Sequence, residues 1–362
     1  MRKWLLFVVI ISLVALIACS DDTATEDEVE EPEEETEETE EAEETDETSD
    51  ETETEEEPQE PEFTYPLTGE EAEQEVTNRA IAVQINNHSK ARPQTGLIHA
   101  DMVYEFLAEG PITRLVGIFH STIPEMVGPV RSARYYYMDT AKAHDAIYVY
   151  HGAANFIEED LRNGYVDNLN GMYYDNDQFL FKRESFRQAP HNSYTFLENV
   201  YDMASRNNIE TEREYESYGF YNESELGSIS GDTANRVNVR YFSEEQVTYE
   251  YDENEGAYTR YSDGQMSRDL NTEEPIQVEN ILIFETGHQV IDDVGRREVD
   301  LTSGGNGYLI QQGVVKEVEW RNVDGLMKPF TDGTEAKLVP GQTWINVIPG
   351  SPGLTESVTI EE

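Results

Sequence analysis

The stretch from Asp101 to Gly152 constrains this chain more than any other. Two largely apolar runs, 102–108 and 112–120, flank Glu109-Gly110-Pro111, a tight-turn signal, and read as a hairpin. Next comes Gly128-Pro129-Val130-Arg131-Ser132-Ala133-Arg134, a turn carrying two arginines three residues apart. Residues 132–144 are expected to be helical with Ser132 as the cap, an extended course over 134–137 being the alternative, followed by a short strong strand at 146–151. Residues 153–162 then read as a helix closed by Asn163-Gly164.

The rest of the chain extends this mixture. Arg79 to Asn86 reads as a strand and Asn87 to Pro93 as a polar loop. Residues 193–206 give the clearest helical pattern: Thr195 and Glu198 have capping-box spacing, and Phe196, Val200, Met203 and Ala204 recur at helical intervals. A polar stretch at 208–236 reads as a linker. Beyond it strands dominate, with 248–251 and 257–261 as a hairpin and 281–285, 307–311, 314–321 and 343–348 as further strands. The fold class is therefore α+β, a mixed α/β N-terminal part at 63–207 followed by a mainly β C-terminal part at 237–362.

The first 62 residues are of another kind. Met1-Arg2-Lys3 and the apolar run Trp4 to Ala18 describe a secretory signal over residues 1–18. Leu16-Ile17-Ala18-Cys19 resembles the lipobox of bacterial lipoproteins, in which the cysteine thiol takes a diacylglycerol and the signal is cut before it. Cys19 is the only cysteine, so no intramolecular disulfide can form and lipidation is its natural use. Two acyl chains anchor stably where one is marginal. Ser20 to Glu62 holds 26 Asp or Glu and no Lys or Arg, so residues 19–62 are expected to be a lipidated, disordered acidic spacer.

Taking those 26 acids and the basic pair Arg2 and Lys3 from the total of −51 leaves −27 for residues 63–362. So acidic a body argues against nucleic-acid binding, which needs a basic face for phosphates. Against that background the span 79–134 stands out, with six basic residues (Arg79, Lys90, Arg92, Arg114, Arg131, Arg134) and four acids (Asp101, Glu105, Glu109, Glu125). Arginine presents a planar fork of donors that fits carboxylate or phosphate bidentately. Arg114, Arg131, Ser132 and Arg134, with backbone amides of Gly128 and the following helix start nearby, form a candidate anion site. The alternative is that these arginines pair with Glu105, Glu109 or other acids and serve the fold.

Three histidines end strands or precede elements: His120, His151 and His191. His151, just before Gly152, or Glu109 is the candidate acid or base, and Glu105 with Glu109 could share a strand face as paired carboxylates. No metal-ligand spacing, nucleophile elbow or Walker loop appears, so neither a metal nor a cofactor is expected.

Several of these segments together resemble the YerB-like family of bacterial lipoproteins. They are Arg92-Pro93-Gln94-Thr95-Gly96-Leu97, Ala100 to Glu105, Glu109 to Arg114, Gly128 to Arg134, and Asp145 to Val149 with His151-Gly152. The resemblance is close over 63–205 and looser over the β-rich half. It implies a lipid-anchored protein with a two-part domain of unknown function and supplies no catalytic residues. The expectation is an extracytoplasmic lipoprotein of the bacterial cell envelope, bound to the membrane through its lipid. It would act as a non-catalytic binding or scaffold protein for an anionic wall ligand or a membrane-protein partner. The alternative is an envelope hydrolase or transferase acting on a glycan or phosphodiester, with His151 or Glu109 as acid or base. A transporter's solute-binding protein fits less well, because the second half shows no repeated parallel αβ units.

Overall fold

The computed structural model describes residues 61–242 and 245–362; the signal segment, Cys19 and nearly all of the acidic tract lie outside them. The first half supplies β1 (Ile81–Asn86), β2 (Met102–Leu107), β3 (Thr113–Phe119), α1 (Tyr135–Ala143), β4 (Ile147–Tyr150), α2 (Asn155–Arg162), β5 (Asn168–Asn170), β6 (Phe181–Arg183), β7 (Ser193–Phe196) and α3 (Val200–Arg206). The second half supplies β8 (Arg236–Arg240), β9 (Gln246–Asp252), β10 (Ala257–Ser262), β11 (Asn280–Thr286), β12 (Gly305–Gln311), β13 (Val314–Val323), β14 (Leu326–Thr331), β15 (Thr343–Pro349) and β16 (Val358–Glu361). This is the α+β mixture read from the sequence, helices concentrated in the first half and strands in the second.

One large sheet runs through both halves, in the order β14-β13-β12-β11-β15-β2-β3-β1-β4-β5. Its centre is a long-range pairing. β15 lies parallel to both β11 and β2, with Thr343 opposite Asn280 on one side and Met102 on the other. β1 to β4 and β2 are buried along their whole length, which is why they read as nearly continuous apolar runs. Successive side chains leave on opposite faces. Ala80 and Ala82 join Tyr136, Met138 and Ala141 of α1 and Ile157 and Leu161 of α2 on one face. Ile81, Val83 and Ile85 join Val237, Val247 and Tyr249 of a second sheet, formed by β8, β9, β10 and β16, on the other.

A carboxylate stitches the two sheets together. Glu105 on β2 is fully buried and accepts from Arg260 Nη2 on β10 at 2.7 Å and from Trp344 Nε1 on β15 at 3.0 Å. It also accepts from Thr113 Oγ1 at 2.7 Å and Asn87 Nδ2 at 3.1 Å. The Arg260 guanidinium lies 4.3 Å from the Trp344 ring centre, so the cation is both paired and stacked.

Two local expectations differ from the structure. The helix expected from 132 begins at Tyr135, its N-cap is the extended Arg134, and Ser132 instead donates to the His151 carbonyl at 3.2 Å. Residues 193–206 divide into strand β7, a short 3-10 turn at Leu197–Asn199 and α3. Ser193 to Phe196 pairs with β6 and with Met126–Val127, and Thr195 Oγ1 donates to the Leu180 carbonyl rather than capping a helix. Tertiary pairing of a β-branched and aromatic segment outweighs its helical periodicity. His191 therefore precedes a strand.

Candidate functional site

The site forms where the sheet opens. β1 and β4 run parallel from Ile81 opposite Ile147 to Val83 opposite Val149, and the pairing stops there. The segment Gly128–Ala133 fills the gap beyond. Arg131 N donates to the Gln84 carbonyl of β1 at 2.8 Å, and His151 N donates to the Arg131 carbonyl at 2.9 Å. Val130 N donates to Ser193 O and Ala133 N to Gly152 O, at 2.7 and 3.0 Å. Arg131 is thus fixed by its own backbone between the carboxyl ends of two parallel strands, the position where open α/β sheets hold ligands. The close approach of this segment to β7 depends on Gly128, since a Cβ there would lie 2.7 Å from the Tyr194 ring.

The same hydrogen bonds correct one expectation. The amide of Gly128, expected to face an anion, is committed to the Thr95 carbonyl, those of Val130, Arg131 and Ala133 are also bound to carbonyls, and the Ser132 hydroxyl is tied to the His151 carbonyl.

The basic residues of 79–134 separate into two groups. Arg79 pairs with Asp145 and Asp167, and Arg92 with Glu245 and Asp263, so these two serve the fold. Arg114 and Arg134 share one carboxylate: Glu109 Oε2 lies 2.9 Å from Arg114 Nη2, and Glu109 Oε1 accepts from Arg134 Nε at 2.6 Å and also meets its Nη2. Arg114 Nε and Nη1 are buried with no partner, although its side chain is only 5% exposed. Among the described residues, Arg131 has no ion pair and no side-chain hydrogen bond, and its Nε is buried without an acceptor. Burial and the neighbouring Arg114 and Arg134 charges lower the Arg131 guanidinium to about 10, leaving it charged at neutral pH. Three cations around one carboxylate leave positive potential unmet.

Histidines surround Arg131. His88 and His191 lie with ring centres 4.9 Å apart. Burial lowers both, with contributions from the Arg131 charge and, for His191, from His88 as well. Asn86 Nδ2 donates to His191 Nδ1 at 2.9 Å, and Lys90 N donates to His88 Nδ1 at 3.1 Å. With each Nδ1 accepting, the neutral rings carry their proton on Nε2 as a donor.

His151 lies at the end of β4, buried, and burial followed by the Arg183 and Arg131 charges lowers it to about 4. Arg183 Nη2 is 3.3 Å from its Nε2, and its Nδ1 is 2.8 Å from Ser193 Oγ. A guanidinium only donates, so Nε2 accepts and Nδ1–H donates to Ser193. That tautomer cannot take a proton from the Ser193 hydroxyl. Burial pushes the Glu109 carboxyl up, but Arg114 and Arg134 more than reverse this and hold it below the usual range. At neutral pH His151 is unprotonated and Glu109 ionised, so neither serves as a proton donor. Glu105 and Glu109 do not converge: Glu105 faces Arg260 inside the fold, while Glu109 lies beyond the end of β2.

The structure thus gathers Arg114, Arg131, Arg134, Glu109 and His151 into one region, and adds His88, His191, Asn86 and Arg183, which sequence reasoning did not join to it. The two loops that deliver them carry clustered basic residues, Lys90 and Arg92 beside His88 and Arg183 and Arg187 before His191, and that local enrichment was the available signal.

The family model for the N-terminal domain of a protein of unknown function, DUF3048, matches residues 67–210, and the corresponding C-terminal model matches 237–345. "Putative lipoprotein YerB" of Bacillus subtilis strain 168 is 42% identical over 292 residues, spanning 78% of this chain and 86% of that protein. The chain belongs to the YerB-like family. The crystal structure of YerB from Bacillus subtilis superposes with a TM-score of 0.75 at 40% identity, covering 83% of this chain and all of the other. Both family descriptions are of a protein of unknown function. No helix among the described residues is long and apolar enough to cross a membrane.

Proposed function

We propose that this YerB-like protein is a membrane-anchored, extracytoplasmic lipoprotein that binds an anionic ligand of the cell envelope at the Arg114–Arg131–Arg134 cluster. The anchor rests on the lipobox-like Leu16-Ile17-Ala18-Cys19 and on the lipoprotein name of its relative. The binding role rests on one observation above the others: Arg131 is held at the ends of β1 and β4 with its Nε buried and, among the described residues, no ion pair. Arg79 and Arg92, in the same acidic protein, each have two carboxylates. The unprotonated forms of His151 and Glu109 at neutral pH disfavour a general-acid role for either.

The test is calorimetric titration of inorganic phosphate into the protein and its Arg131→Ala variant. Ligand that binds only the native state also raises the melting temperature by mass action. Binding by the wild type and its loss in a variant that melts cooperatively is the expected result. Equal heats in both would remove Arg131 from the site, and no binding of phosphate, sulfate or carboxylate by the wild type would refute the reading.

A further inference from the structure

Large apolar side chains exposed to solvent are unevenly distributed over this protein. Among the described residues nine are markedly exposed, and six of them, Phe156, Met172, Phe186, Val290, Ile291 and Val294, lie on segments tied to residues of the site. Phe156, at the start of α2, lies 6.2 Å from the ring of Tyr135, the residue after Arg134. Val290, Ile291 and Val294 project from a small hairpin formed by His288–Val290 and Arg297–Val299. That hairpin is fixed to the site by Arg297 Nε, which donates at 2.8 Å to the carbonyl of Ala108, next to Glu109. Arg296, on the same hairpin, sits 5.9 Å over the Phe156 ring, so hairpin and helix share one patch. Met172, 61% exposed, lies against Gly152, the neighbour of His151, and Phe186 belongs to the loop that delivers His191.

Scattered exposed hydrophobics need no explanation, but a concentration around a polar focus does. Here the focus is cationic and the rim is apolar. The rim's phenylalanine and β-branched aliphatic groups offer apolar surface to a hydrocarbon chain, and Met172 can adapt to its irregular shape. Resting on the anion-binding reading, we infer that the ligand is a phosphate-headed amphiphile: the phosphate lies on Arg114, Arg131 and Arg134, and its hydrocarbon chain runs over Phe156 and the 290–294 hairpin tip. Head and tail would then be read by separate residues, guanidinium forks for the phosphate oxygens and burial of methylenes for the tail. Each methylene removed from water multiplies affinity roughly fourfold, so a few suffice to dominate over the head alone.

The experiment compares three probes by calorimetry on the full chain, all below their aggregation threshold: dihexanoyl phosphatidic acid, glycerol 3-phosphate and dihexanoyl phosphatidylcholine. The first has head and tail, the second the phosphate without a tail, and the third the tail with a masked head. Phosphatidic acid should bind at least about tenfold more tightly than either of the others. The double variant Phe156→Ser with Val294→Ser, both surface positions, should erase that advantage and leave glycerol 3-phosphate affinity unchanged. Arg131→Ala should weaken both phosphates. Equal affinity for phosphatidic acid and glycerol 3-phosphate would overturn the inference while the anion site stands; no binding of either would overturn both. Phosphatidic acid affinity unaffected by the rim variant would also overturn it.

Discussion

Replacing Glu109 by glutamine isolates the charge imbalance at the centre of this site. The carboxylate is 21% exposed and touches two guanidinium groups that are 5% and 11% exposed. One unit-charge pair at this separation is worth about 4 kcal/mol at the effective dielectric of a partly shielded site. Part of that gain is spent on desolvating Glu109, and breaking such a pair by removing one partner costs ~3–5 kcal/mol in buried cases. The amide keeps one acceptor oxygen and the rim of the site is wet, so about 3 kcal/mol is expected. For roughly 300 ordered residues the unfolding entropy turns that into a fall of about 5 °C in Tm. The added feature is rescue. Without Glu109, Arg114, Arg131 and Arg134 face one another unneutralised, and phosphate should bind the variant more tightly than the wild type. At about 100 times its Kd phosphate restores ~2.7 kcal/mol, nearly the whole loss. Differential scanning calorimetry across a phosphate series measures both effects. A Glu109→Gln protein that is destabilised and gains no more from phosphate than the wild type would refute the reasoning, since the arginines would then be lacking a structural partner and nothing else.

Other perturbations address the frame and the protonation states. Glu105→Ala should cost ~3–5 kcal/mol in denaturant unfolding, because Arg260, 2% exposed, is left buried and unpaired; a loss below about 1 kcal/mol would deny Glu105 its role between the sheets. Gly128→Ala drives a methyl group against Tyr194 and should cost ~1–3 kcal/mol, with weaker phosphate binding because Arg131 shifts; unchanged affinity would uncouple that turn from the site. Sulfate, which does not titrate here, should bind more tightly as pH falls below neutrality, because burial and nearby cations hold His88 and His191 low and a bound anion raises them; His191→Gln should flatten the profile, and a flat wild-type curve would exclude the histidines. Burial lowers His144 to about 3 and His288 to about 4. Each contributes stability that is complete above the unfolded value of 6.5 and lost as pH falls toward its folded value. Unfolding near pH 5 should therefore take up protons, about one fewer in His288→Gln; equal uptake would contradict the burial argument.

How much of this could be read from the sequence follows the range of the interactions involved. Apolar runs at 81–86, 102–107, 113–119 and 147–150 declared themselves as strands because burial on both faces demands continuous hydrophobic residues. The hairpin turns of the second half were equally legible, being set by adjacent residues such as Gln312-Gly313. Residues 193–206 misled because their helical spacing is real in α3 but is overridden at Ser193–Phe196 by pairing with β6, which sequence periodicity does not record. The amino acids alone also established an acidic body carrying an arginine-rich turn. They did not say which arginines are already satisfied. That depended on Asp145, Asp167, Glu245 and Asp263, which come to Arg79 and Arg92 from 66 to 171 residues away. Charge is a local property of the chain, whereas neutralisation depends on where the sheet brings distant carboxylates. The sequence determined that basic residues gather on either side of Arg131; only the tertiary structure decided that Arg131 forms no ion pair among the described residues while Arg114 and Arg134 share Glu109.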